Sequence, residues 1–242
     1  MRSVLYLAAG AIVTWIFYEP LFGLLTRPMS DVLKAMHSKF LYVSFPEPFM
    51  VRMQLSLIGA AILVSPLLTA EIWGFVSPGL TASEKRPLRW ITPLAVFLFA
   101  GGVSLCYAIM PKAFEWFASY LPKNAELRPT VQQSVLFAAK FLLAFGIAFE
   151  LPVLLMLLAK VGIIDSKMLK DNWRYSIVIV STAAAILTPS NDAFSMLCMA
   201  IPMAGLYAAS IFLVALVEKD RTPITSIPAW FAGLARGMRR KP

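Results

Sequence analysis

Long apolar runs, almost free of charge, constrain this chain more than any other feature. They cover residues 4–25, 49–75, 88–110, 134–159 and 194–217, with a shorter one at 175–187. An apolar stretch of about 18 or more residues matches the length of helix needed to cross a bilayer. A water-soluble domain carries roughly 25% charged residues. This chain carries 14%, against 59% hydrophobic residues and a mean hydropathy of +0.74, so it has no soluble core in which to hide the surplus. The expected fold is an all-α membrane domain over residues 1–217, with the apolar runs as six transmembrane helices. A basic tail follows at 218–242.

The segment 175–187 is the short one. Thirteen residues rise about 20 Å, less than the roughly 30 Å hydrocarbon core. It is either re-entrant or spans a locally thinned bilayer. The basic residues favour the second reading. With six crossings, Arg2, Lys85, Arg86, Arg89, Lys160, Lys167, Lys170, Arg174, Lys219, Arg221, Arg236, Arg239, Arg240 and Lys241 share one side, 14 of the 22 Lys and Arg residues. The positive-inside rule then places both termini in the cytoplasm, N-in/C-in. Bulky Trp15, Ile16, Phe17 and Tyr18 occupy the place of a signal-peptide cleavage site, so the first run is expected to stay in the mature protein.

Outside the runs, Met29, Leu33, Met36 and Phe40 keep helical spacing behind Ser30, which predicts a small helix capped by that serine in the first outer loop. His37, alone there, is read as a loop residue. Ile227, Trp230, Phe231, Leu234 and Met238 lie on one helical face with Arg236, Arg239 and Arg240 around them. The tail is thus a basic amphipathic helix on the headgroups or a disordered basic segment. Cys106 and Cys198 both sit within apolar runs and read as packing residues.

No metalloprotease, nucleophile-elbow, P-loop or dinucleotide pattern occurs, and no nucleic-acid-binding motif. The chain reads as neither an enzyme nor a nucleic-acid binder, and no cofactor or metal is implied. The most expensive single residue is Glu150, past the middle of the fourth run. A charge at the centre of a span costs roughly 2.5–3.5 kcal/mol on insertion scales, so such residues are usually paired or functional. Pro152 removes a helix hydrogen bond two residues later. The competing reading makes Glu150 a protonated or hydrogen-bonded packing residue. Lys140 lies near the outer end of the same run and snorkels. Glu71 reaches water at the inner end of its own run. Pro66, Pro111, Pro152 and Pro202 predict a kinked, concave bundle. Glu84 reads either as a helix-start carboxylate favoured by the dipole or as a carboxylate at the membrane surface awaiting a cation.

Three blocks carry a resemblance: 65–86 (Ser65-Pro66 through Glu71, Trp73, Phe75, Pro78-Gly79 and Glu84-Lys85-Arg86), 143–152 (Leu143 through Phe149-Glu150-Leu151-Pro152) and 185–202 (Thr188-Pro189, Asp192 and Pro202). In this order and spacing they resemble the TatC family of twin-arginine protein translocases. The resemblance implies a glove-shaped six-helix receptor in the bacterial inner membrane. It binds the twin-arginine signal peptides of folded substrates and, in a homo- or hetero-oligomer with TatA and TatB, exports them on proton-motive force. It further implies that Glu84 engages the arginine pair with Phe75 beside it, and that Glu150 faces a TatA or TatB helix. It also links Pro48 and Asp192 to receptor function. The family carries a His-Leu-x-Glu-Leu-Arg segment ahead of its first span, whose glutamate joins the peptide site. This sequence reads Met1-Arg2-Ser3 and enters the membrane at once, so either translation starts upstream or this form holds half of that site. A small-solute secondary transporter is the alternative reading, although internal repeats of the kind such folds carry are not seen.

Overall fold

The computed structural model describes residues 2–35, 38–76, 88–122, 128–189 and 192–219. These form helices α1 (Arg2–Ile16), α2 (Tyr18–Ala35), α3 (Glu47–Val76), α4 (Leu88–Ser119), α5 (Val131–Phe149), α6 (Leu151–Val161), α7 (Ser166–Asp171), α8 (Trp173–Leu187) and α9 (Ala193–Lys219). The stretches Glu47–Thr69, Pro93–Ser119, Val131–Lys160 and Ala193–Leu216 are each long and apolar enough to cross a membrane. The bent pair α1–α2 supplies a fifth candidate. Helix α8, at 15 residues, rises only about 22 Å. The protein is a multi-pass, all-helical membrane protein. Large apolar side chains on the outside of the bundle, such as Phe97, Ile186 and Phe212, are 67–77% exposed, which suits a lipid environment and not water.

Helix α5 is the centre of the bundle: eleven of its residues are buried, from Val131 to Ala148. It packs against α3, α4 and α9, while α1 lies along α3 and α6 along α9. Two glycines bring α4 and α5 together. A Cβ on Gly102 would lie 2.7 Å from Phe149 Cγ and 2.8 Å from the Phe145 carbonyl, and one on Gly146 would lie 2.4 Å from the Phe99 ring. Small residues allow this close backbone approach between membrane helices.

Within the stretch expected as the first span, the axis turns by 76° at Phe17. Pro20 lacks the N–H that would bond the Ile16 carbonyl, and the ladder breaks there. The small helix expected behind Ser30 is instead part of α2, which runs unbroken from Tyr18 to Ala35. Ser30 caps nothing; its hydroxyl donates to the Arg27 carbonyl at 2.8 Å, the usual refuge of a serine inside a helix. Helix α4 continues past Pro111 to Ser119. Glu71, expected to reach water, is half-buried and accepts from Tyr6 Oη at 3.3 Å, an exposed bond that ties α1 to α3. His37, Glu84 and residues 220–242 lie outside the described residues.

At the end of the bundle remote from the N-terminus, the first loop is stitched to the start of α5. The Leu41 N–H donates to the Pro129 carbonyl and the Val131 N–H to the Leu41 carbonyl, both at 3.1 Å. Glu47, only 4% exposed, accepts from the backbone N–H groups of Val43 at 2.6 Å, Gln132 at 3.3 Å and Ser44 at 3.4 Å.

Candidate functional site

Glu150 sits where α5 ends and α6 begins. Its N–H closes α5 onto the Ile147 carbonyl at 3.1 Å, and Pro152 occupies the first turn of α6, where a missing N–H is harmless. The side chain plays no capping role. Both carboxyl oxygens are fully covered, yet neither has a hydrogen-bond partner among the described residues. Buried polar groups are almost always satisfied, so a covered acid with no partner among the described residues marks this break as the candidate site. Gly146 and Phe149 flank it in sequence and fix the break against α4 through the Phe99 and Gly102 contacts. The Ala-Phe-Gly-Ile-Ala-Phe-Glu run thus has a structural use for its glycine and an unspent acid at its end. The bundle core beside it is apolar, with Phe141 and Phe145 fully buried.

The remaining expected residues fall in three places. Phe75 lies in the last turn of α3, and Glu84 lies in 77–87, outside the described residues. Asp192 sits ahead of α9, where its Oδ1 accepts from the Ser195 N–H at 2.7 Å, an N-cap bond. Thr188 ends α8 in an extended conformation, the shape Pro189 imposes on the residue before it. Pro48 is in the first turn of α3 and lines a cleft of about 420 Å³ with Trp15, Tyr18, Glu19, Tyr42 and Arg52. The structure does not bring Pro48, Glu150 and Asp192 into a single pocket.

The cleft at Pro48 contains the arrangement that sequence reasoning missed. The Arg52 guanidinium carbon stands 4.9 Å from the Trp15 ring centroid and 5.1 Å from that of Tyr18. Its Nη2 donates to the Trp15 carbonyl at 3.3 Å, on the broken edge of the α1–α2 bend. Burial and the carboxylates of Glu47 and Glu19 push the Tyr42 phenol above its ordinary pKa. Arg52 counts in the sequence only as a basic residue near a span end. Three aromatic residues within four positions, at 15, 17 and 18, and a fourth at 49 close to Arg52, were the available signal.

Residues 1–202 match the family model described as TatC, Sec-independent protein translocase protein. The chain belongs to the TatC family. Among curated members, the Sec-independent protein translocase protein TatC of Desulforapulum autotrophicum is 36% identical over 212 residues, 87% of this chain and 78% of that one. That of Xylanimonas cellulosilytica is 35% identical over 207 residues, 85% and 75% of the two chains. A crystal structure of the twin-arginine translocase receptor TatC, solved in DDM, superposes with a TM-score of 0.75 at 29% identity, over 87% of this chain and 93% of that one. The TatC fold also accounts for the all-helical bundle described above, and the transporter alternative loses its support.

Proposed function

We propose that this TatC-family chain is the signal-peptide receptor of a twin-arginine translocase in a bacterial inner membrane, with six crossings and both termini cytoplasmic. The observation that carries this reading furthest is Glu150: a buried, unpartnered carboxyl at a helix break, in a family whose solved members are translocase receptors. A carboxyl in hydrocarbon gains most from a polar group on a neighbouring helix. In this reading that helix belongs to TatA or TatB, and Glu150 is the contact that seats it. Glu84 supplies the carboxylate for the arginine pair, with Phe75 beside it. An arginine fork matches a carboxylate bidentately where a lysine ammonium does not, which accounts for a preference for arginine. Pro48 and Asp192 support the receptor at the opposite end. The work asked of the chain is binding and assembly, with proton-motive force driving transport, and no catalytic step.

The test is binding of the purified chain to a twin-arginine signal peptide and to its twin-lysine counterpart, in wild type and in Glu84→Ala. Arginine-selective binding that weakens at least about tenfold in Glu84→Ala, a loss of roughly 1.4 kcal/mol, is the expected result. Equal binding of the two peptides, or selectivity untouched by the substitution, overturns the assignment of Glu84.

A further inference from the structure

The cleft between the α1–α2 bend and α3 holds two opposite charges that do not pair. Arg52 and Glu19 both line it, yet the ion pair found among the described residues is Lys34 with Asp31, not these two. Arg52 is already fixed in place by its stacking on Trp15 and Tyr18 and by one bond to the Trp15 carbonyl. Beyond that one bond the guanidinium makes no hydrogen bond among the described residues, and its Nη groups keep donors for a ligand while the Nε is covered. Glu19 is exposed. About 420 Å³ of space lies within the cleft, more than enough for a small polar group between them.

Depth and surroundings say what kind of group. Arg52 is five residues into α3, about 8 Å along its axis, at the level where headgroups meet acyl chains. Trp15, Tyr42 and Phe49 around the cleft are 37%, 44% and 58% exposed and form a local aromatic belt of the sort found at membrane interfaces. Guanidinium groups take phosphate oxygens through parallel N–H donors. A carboxylate among aromatic faces takes an ammonium, by charge and by cation–π attraction. A ligand that presents phosphate and ammonium a few bonds apart, with apolar chains to lay along the exposed helix faces, is a zwitterionic aminophospholipid.

We propose that this cleft binds one phospholipid with a phosphoethanolamine-type headgroup, its phosphate on Arg52 and its ammonium on Glu19. The site lies in the leaflet remote from the N-terminus, and Glu150 is not among the residues that line it. A resident lipid there packs the open side of the α1–α2 bend.

The test is native mass spectrometry of the full chain in detergent, titrated with phosphatidylethanolamine or phosphatidylglycerol of identical acyl chains. An exposed ion pair contributes up to about 1 kcal/mol, so wild type should retain the ethanolamine lipid up to about fivefold more strongly. Glu19→Gln removes only the negative charge of an exposed side chain that makes no side-chain bond among the described residues, so it should fold normally and lower ethanolamine-lipid retention to the phosphatidylglycerol level. Arg52→Lys should weaken both lipids. Equal retention of the two lipids by wild type overturns the proposal, as does a preference that survives Glu19→Gln. Displacement by soluble O-phosphoethanolamine at equal concentration also overturns it, because the ligand is then not a lipid.

Discussion

Two of the membrane helices are broken, each just before a proline, and the two breaks are finished differently. At Phe17 the axis turns by 76°, and a cation from the neighbouring helix, Arg52, stacks on the aromatics there and takes the Trp15 carbonyl. At Glu150 residues 131–160 still run as a single span, and the acid at the break has both oxygens covered and without a partner among the described residues. At the first break the freed backbone carbonyl is taken up by a neighbouring helix of the same chain. At the second the acid finds no partner among the described residues. A proline supplies the opportunity for a kink, but the polar group beside it decides how the break is finished.

The largest effect should come from the packing that frames the second break. Gly102→Val places methyl groups where even a Cβ meets the Phe145 carbonyl at 2.8 Å, and should cost about 3 kcal/mol or abolish folded yield. Gly10→Ala on α1 meets a Val64 methyl at 3.0 Å and Ala60 at 3.3 Å, looser than at Gly102, and should cost about 1 kcal/mol. Size-exclusion profiles and thermal melts in detergent check both, and equal losses would remove the contrast in packing. Next, Glu47→Ala strips three backbone N–H groups of their acceptor and should cost roughly 2–3 kcal/mol, read as a lowered Tm. Arg52→Ala should cost about 2 kcal/mol through lost stacking and the lost bond, with Arg52→Lys recovering only part of it. The smallest stability change belongs to Glu150→Gln, within about 1 kcal/mol of wild type or stabilising, because no internal bond is lost and the acid's desolvation is relieved. The same variant should lose co-purification with TatA and TatB helices. A Glu150→Gln chain that melts as far below wild type as Arg52→Ala would mean that the second break is closed within the chain as well.

What could be read from the sequence follows the same division. The apolar runs are legible because a bilayer dictates both their length and their composition, and Glu150 stood out because an acid in hydrocarbon is costly. Pro20 was visible, but the angle of the bend depends on α3, far away in sequence. Ser30 was misread because a serine that caps a helix and one that bonds back inside it leave the same local pattern. Arg52 went unrecognised because its significance lies in the faces of Trp15 and Tyr18, which only the packing of α1 on α3 brings to it. Glu84 and the tail remain on sequence reasoning alone, since they lie beyond the described residues.

The stitching at the remote end has a mechanical meaning. Leu41 exchanges backbone bonds with Pro129 and Val131, Glu47 grips Gln132, and the Gln132 amide reaches Gln54 on α3 at 3.4 Å. The first loop, the head of α3 and the head of α5 therefore move as one piece. If α3 and α5 spread to admit another helix, they must do so like tongs riveted at one end, with the widest travel at the end that carries Val76 and Phe149. A pull on the loop would be delivered down the axis of α5, toward the break at Glu150, instead of being absorbed at the surface.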